Sequence, residues 1–271
     1  MSSWNAFHDF EQAGWQRAAS SYSNTFGTLT VLAAGPLLDA AGVGAGTRLL
    51  DVASGPGYVA GAAAARRAAV VGVDFSSLMV DEARRRYPQI EFVEGDAEAL
   101  AFDADQFDAV VMNFGLLHLA RPEAAIAEAY RVLRPGGRYG FTVWAGPDEA
   151  IGFGVVLRAM ETYGSTNVGL PDGPPFFRFS DADECRATLE RAGFTNVAVR
   201  KLPLVWRLRS SDELFEATLH GGVRTSAALQ AQTPQALEAI HRAVLTELGP
   251  YAEGDGVALP MAVVLAAAEK R

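Results

Sequence analysis

The sequence is poor in the residues that build covalent or metal-held scaffolds. A single cysteine, Cys185, stands among 271 residues, so no intramolecular disulfide can form and no cysteine-based zinc cluster can assemble. Four histidines are present, none of them in a His-x-x-x-His pair, and the acids are scattered, so no metal site is expected. Lys and Arg number 23 against 32 Asp and Glu, a net charge of −9. That balance argues against a nucleic-acid partner, which rewards clustered cations with released counterions. The one dense basic run, Arg84-Arg85-Arg86, ends a helical pattern, where cations complement the dipole. Long apolar runs are also missing. The stretch 49–73 is broken by Asp51, Arg66 and Arg67, so no membrane span is expected. Met1-Ser2-Ser3-Trp4 has neither a basic n-region nor an apolar h-region, and the expectation is a soluble, cytoplasmic chain. No internal repeat occurs, and the Ala-rich helix after Gly57 is the one compositional bias.

What is present is core material. Hydrophobic residues make up 49% and charged residues 20%, enough for one sizeable α/β domain or two small ones. Short apolar runs alternate with helical patterns, with strands expected over 48–52, 69–74, 90–94, 108–113 and 137–144. Helices are expected over 59–67, 78–87 and 122–133. That alternation is the signature of βαβ units in a doubly wound α/β sheet. The third helix stops at Arg134-Pro135-Gly136-Gly137, where proline cannot continue the ladder and glycine turns the chain into the next strand. Upstream, 7–42 reads as two amphipathic helices broken at 20–24. Downstream, 180–192 and 210–248 read as helical, with a sixth strand over 196–208 and a seventh over 257–266. The expectation is a single domain: an N-terminal helical cap over 1–42, a ligand-binding core over 48–145, insertions over 146–180 and 209–250, and a last strand over 256–268.

The first strand runs Leu49-Leu50-Asp51-Val52-Ala53-Ser54-Gly55-Pro56-Gly57, an acid at the strand's end followed by a glycine turn that opens a helix. Gly55 and Gly57 let the backbone approach a ligand, and open α/β sheets bind ligands at that end. Taken alone, Gly55-x-Gly57-x-x-Ala60 also fits a dinucleotide fingerprint. The rest of the series separates the two. Val73-Asp74-Phe75-Ser76 ends the second strand, and Glu94-Gly95-Asp96-Ala97-Glu98 follows the third. Phe107-Asp108-Ala109-Val110 opens the fourth, and Val132-Leu133-Arg134-Pro135-Gly136-Gly137 precedes the fifth. As a set, over 49–144, this resembles the class I S-adenosylmethionine-dependent methyltransferases of the ubiquinone/menaquinone-biosynthesis type.

The resemblance implies a seven-stranded Rossmann-like sheet, mostly parallel with its last strand antiparallel, and S-adenosyl-L-methionine as cofactor. It implies that Asp74 accepts the ribose hydroxyls, with an N-cap role for the turn at Ser76-Ser77 as the alternative. Asp96 would accept the adenine amino group while the Ala97 N–H donates to the ring; a plain Gly-Asp turn is the alternative. Asp51 would organise the glycine loop and face the methionine ammonium through water, or merely cap a turn. Ala53, Ser54, Gly55, Gly57, Phe75 and Ser76 complete the expected shell, and Asn113, Phe114 and Gly115 would stand beside the methionine and sulfonium portions. Tyr22 is the candidate contact from the N-terminal cap.

His118, in Leu116-Leu117-His118-Leu119, falls where the methyl group would emerge and is the candidate general base; a structural histidine among leucines is the alternative. The fourth strand lacks the adjacent Asp-Asn pair of the metal-dependent catechol methyltransferases, so a metal-independent in-line displacement is expected. The acceptor would be a small, apolar or aromatic molecule. Its candidate walls are Trp144, Phe153, Met160, Tyr163, Phe176, Phe177 and Trp206, with 1–39 and 169–179 closing over the site. A homodimer is compatible with all this. Two rival readings remain: a nicotinamide oxidoreductase, for which no Tyr-x-x-x-Lys pair follows the fourth strand, and a binding protein that kept the fold without the reaction.

Overall fold

The computed structural model describes residues 3–271; Met1 and Ser2 of the expected N-terminal cap lie outside the described residues. The chain opens with helices α1 (Ser3–Tyr22), α2 (Gly27–Thr30) and α3 (Ala34–Ala40). Then come β1 (Arg48–Val52), α4 (Tyr58–Ala65), β2 (Ala69–Asp74), α5 (Ser77–Arg86), β3 (Glu91–Glu94), β4 (Phe107–Asn113), α6 (Pro122–Val132) and β5 (Leu133–Trp144). The second half adds α7 (Ile151–Tyr163), α8 (Ala182–Arg191), β6 (Thr195–Leu208), α9 (Asp212–His220), α10 (Arg224–Gln230), α11 (Pro234–Glu247), β7 (Ala252–Glu253) and β8 (Gly256–Glu269). No described helix is long and apolar enough to cross a membrane.

The sheet runs β3-β2-β1-β4-β5-β8-β6, with β7 paired to β8. The first five strands are parallel, and β8 is antiparallel to both β5 and β6. β1 lies at the centre of the doubly wound half, and from Leu49 onward every residue of it is buried. A parallel strand covered by helices on both faces reads as a continuous apolar run, which is why its sequence does not alternate. The chain passes from β1 to β2 on one side and to β4 on the other. The topological switch point therefore falls between the carboxyl ends of β1 and β4.

The seven expected strands are all present with one added, and four further details differ. The sheet has eight strands, because Ala252–Glu253 turns back on the start of β8 as a two-residue hairpin arm. The second N-terminal helix is split: a 3₁₀ turn at Val31–Ala33 separates α2 from α3, and Pro36 sits in the first turn of α3, where its missing N–H leaves no gap in the ladder. The fifth strand begins at Leu133 rather than after the Pro-Gly-Gly turn. Leu133 pairs with Phe107 and the register then skips to Arg138 opposite Ala109, so the turn is absorbed as an irregularity with Gly136 at φ +78°. The helical stretch 210–248 resolves into α9, α10 and α11, and α7 fills an insertion for which no element was expected.

Candidate functional site

The floor of the site is the turn after β1. Ala53, Gly55 and Gly57 all take left-handed backbone, at φ +54°, +52° and +83°. At Gly57 a Cβ would come within 2.8 Å of the Phe92 ring, so the position is closed to other residues; at Gly55 the space above is open. Beneath the turn, Asp51 is buried, and its Oδ2 accepts the Ala60 N–H at 2.9 Å, tying strand to helix. Its Oδ1 is buried without a partner, as is the hydroxyl of Ser54. Burial pushes the Asp51 carboxyl up to about 8, reinforced by the nearby charge of Asp74.

Asp74, at the tip of β2, is also buried. Its Oδ2 accepts the Gly55 N–H at 2.8 Å and its Oδ1 the Ser76 N–H at 2.9 Å. These bonds lock the glycine turn to the next strand and leave each oxygen a second lone pair, the capacity that a diol needs. Burial raises this carboxyl to about 6 despite the two donors. The cap of α5 belongs to Ser76, whose hydroxyl accepts the Met79 N–H. Asp74 is thus free of the helix-capping role.

Above this floor lies a cavity of about 610 Å³, its open mouth included. Tyr22, Ala53, Gly55, Asp74, Phe75, Asp96, Ala97, Asn113, Phe114 and His118 line it together. Asp51, Ser54, Gly57 and Ser76 do not; the side chains of Asp51, Ser54 and Ser76 are buried beneath or behind the loop, and Gly57 turns its α-carbon towards Phe92 and Tyr87. They act on the cavity through the backbone they hold. Asp96 accepts the Glu98 N–H at 2.8 Å through Oδ1, while its Oδ2 lies 3.3 Å from His8 Nε2. His8 stands edge-on to Phe75.

The far wall comes from β4 and the turn after it. Asn113 is held from both ends, donating to the Thr30 carbonyl at 3.1 Å and accepting from the Thr142 hydroxyl at 2.6 Å. Phe114 takes φ +56°, an unfavourable state for an aromatic residue. Its N–H bonds to Thr142, and its ring packs on Trp144 at 4.1 Å. Burial raises the Tyr22 phenol, whose hydroxyl meets that of Thr30 at 2.8 Å.

A second cavity of about 480 Å³ adjoins the first and shares Trp15, Tyr22, Phe114 and His118 with it. Phe26, Trp144, Phe153 and Phe176 make its apolar wall, and Thr218, Val223 and Arg224 close it from the C-terminal cap. Of the expected acceptor walls, Trp144, Phe153 and Phe176 stand here. Met160 and Phe177 belong to a neighbouring hollow. Tyr163 is 52% exposed and walls nothing, because α7 ends there in solvent; Trp206 is core, packed at a tilt against Phe26 and donating to the Thr28 hydroxyl.

Gly115 lines the first cavity as expected, while sequence reasoning missed Trp15, Met79, Gly95 and Leu119 there. It also missed Glu11, whose Oε2 lies 2.9 Å from His118 Nδ1. One signal was available: Phe7, Glu11, Gly14 and Ala18 recur at helical spacing and are all buried, so Glu11 is a charge on an apolar stripe. α1 lies across the mouth of the first cavity, Gln12 donating to the Phe75 carbonyl and Gln16 to the Ser77 hydroxyl. Among the described residues no three metal-ligating side chains converge.

Comparison with known proteins converges on one family. Residues 50–141 match the family model described as a methyltransferase domain. A demethylmenaquinone methyltransferase of Renibacterium salmoninarum is 33% identical over 175 residues, covering 61% of this chain and 74% of that protein. Its namesake in Paenarthrobacter aurescens is 31% identical over 194 residues, covering 67% and 77%. Phosphoethanolamine N-methyltransferase 2 of Haemonchus contortus, solved with S-adenosyl-L-methionine, shares the fold at a TM-score of 0.59 and 19% identity, over 97% of this chain and 60% of that one.

Proposed function

The chain belongs to the class I S-adenosylmethionine-dependent methyltransferases, and from that premise we propose that it methylates a small aromatic acceptor held in the second cavity. The observation that carries this reading is the pair of adjoining cavities at the carboxyl ends of β1 and β4, one floored by acids and glycines, the other walled by aromatics. The names of the two bacterial relatives favour a quinone-type acceptor.

The residues present fit the cofactor. Asp74 has lone pairs in reserve for a ribose diol, Asp96 and Phe75 line the same cavity and would flank an adenine, and the unpartnered Oδ1 of Asp51 is a buried polar atom left unsatisfied beneath the glycine turn. When bound, S-adenosyl-L-methionine supplies an activated methyl group on a sulfonium, so no metal is needed. The protein's task is then to place the acceptor in line and keep water out, and such positioning is worth about 7–11 kcal/mol of barrier. Trp144, Phe153 and Phe176 hold a flat ring against the junction, where Phe114 and His118 face both cavities. His118 is the candidate catalytic residue.

Calorimetric titration tests this reading. S-adenosylmethionine and its demethylated product are expected to bind, with NAD binding weakly or not at all; tighter binding of NAD would overturn it. Turnover of a quinol or phenol acceptor, followed as a mass gain of one methyl, should survive a chelator.

A further inference from the structure

Glu11 is fully buried on the inner face of α1, and an unpaired carboxylate there would carry a heavy desolvation penalty. Two partners meet it. Oε1 accepts from Arg224 Nε at 2.8 Å, and Oε2 lies 2.9 Å from His118 Nδ1. Arg224, the first residue of α10, gives its other nitrogens to the carbonyls of Pro174 and Leu117. Its guanidinium lies over the rings of Phe7 and Phe176. So pinned, it balances the charge of Glu11 rather than reaching for a ligand.

An ionised carboxylate only accepts, so a neutral His118 must hold its proton on Nδ1, which leaves Nε2 as the lone-pair nitrogen. No described side chain or carbonyl bonds Nε2, and the ring borders both cavities. Trp15 and Phe176 stand edge-on to it at 4.8 and 6.0 Å and fix its plane. Glu11 touches the imidazole with Arg224 behind it, and Asp74 and Asp96 line the same cavity.

We infer that Glu11 and Arg224 set His118 as the base for an acceptor that arrives with its proton in place, a neutral aromatic hydroxyl such as a phenol or quinol. The inference rests on the methyl-transfer reading and adds the acceptor's chemistry and two positioning residues. An amine with a free lone pair would need no such nitrogen. The hydroxyl proton passes to Nε2 and the oxygen's electron pair forms the bond to the methyl carbon. The carbon–sulfur bond breaks with its pair kept by sulfur, leaving a neutral thioether. The imidazolium, held by Glu11, then yields its proton to water.

Two measurements test this. Nitrogen-15 spectra of the free protein should show His118 as the Nδ1–H tautomer, and Glu11→Gln should shift it toward Nε2–H. In turnover with S-adenosylmethionine, Glu11→Gln should lower kcat on 4-methoxyphenol by about 10²-fold. The loss should shrink to a few-fold on 4-nitrophenol, already ionised at mildly alkaline pH, with KM for the cofactor little changed. Glu11→Asp should restore part of the rate. The ratio between the two phenols is taken on one protein sample, so it is unaffected by any fraction that fails to fold. Equal losses on both phenols, or an unchanged tautomer, would make Glu11 a structural residue and overturn the inference. A wild-type protein that binds S-adenosylmethionine but methylates only amines, or neither phenol, overturns it too while the cofactor reading stands. Failure to bind S-adenosylmethionine sinks that reading itself.

Discussion

Two buried acids, Asp51 and Asp74, set how the site responds to pH, and they do so differently. In Asp74 burial holds the carboxyl near 6, against an ordinary value of 3.8, while ribose hydroxyls donating to it favour the anion. Cofactor binding near pH 6 is therefore expected to release a proton, and affinity should fall as the pH drops below about 6. Calorimetry in buffers of different ionisation enthalpy reads that proton directly, and a binding enthalpy independent of buffer would refute it. Asp74→Ala should weaken the cofactor by about 1.5–3 kcal/mol, the worth of a charged acceptor, without unfolding the sheet. Asp51, pushed up to about 8 from 3.8, affects stability instead. Its folded value lies above its unfolded one, so its contribution is fully present below about pH 4 and is lost as pH rises through about 8. Asp51→Asn keeps an acceptor for the Ala60 N–H and removes the titration. Its melting temperature should lose the decline that wild type shows between pH 6 and 8; parallel curves would show that the folded Asp51 carboxyl is not raised above its ordinary range.

At the scale of elements, what was legible in the sequence follows burial on both sides. β1, β2 and β4 read as apolar runs because helices cover both faces, and the turns between them read as Gly55, Gly57 and Asp74 because close backbone contacts admit few residues there. The caps were less legible, for physical reasons. Glu11 and Arg224 meet across 213 residues of chain, and no local pattern announces such a pair. The seams between α9, α10 and α11, and α7 itself, come from tertiary packing that overrides local propensity. That packing also joins the two segments expected to close over the site, since Gly173 presses on Phe7 of α1: a Cβ at Gly173 would lie 2.3 Å from the buried ring. Gly173→Ala should therefore unseat Phe7 and cost about 1–3 kcal/mol as overpacking. In hydrogen exchange, α1 and residues 169–179 should open faster in this variant while the amides of β1 and β4 keep their protection. In the wild type, cofactor should slow exchange in these same segments. Uniform deprotection of the whole sheet by Gly173→Ala would instead make α1 part of the core.

Across the whole molecule, the last strand is the one that joins the halves. β8 lies between β5 and β6, matched to Arg138–Trp144 on one side and to most of Thr195–Leu208 on the other. Its residues Val263, Val264, Leu265 and Ala266 are all at or below 2% exposed. A chain ending before Gly256 would leave two long strand edges unpaired and a slice of the core open to water. That loss is comparable to the whole stability of a domain, about 5–15 kcal/mol. The sheet's second half cannot close until these residues are made, and such distant pairings form slowly. Deleting residues 256–271 is therefore expected to abolish near-ultraviolet dichroism and cooperative melting. Removal of α1 should behave in the opposite way: it lies over the site, tied there by Gln12, Gln16 and Glu11 and by the buried Phe7 and Ala18, and contributes no strand, so a chain starting at Ser23 should keep a cooperative sheet and lose affinity for S-adenosylmethionine. The pair of truncations separates scaffold from lid. If the chain lacking β8 still melts as one unit near the full-length temperature, the β5–β8–β6 seam is not what holds the fold together.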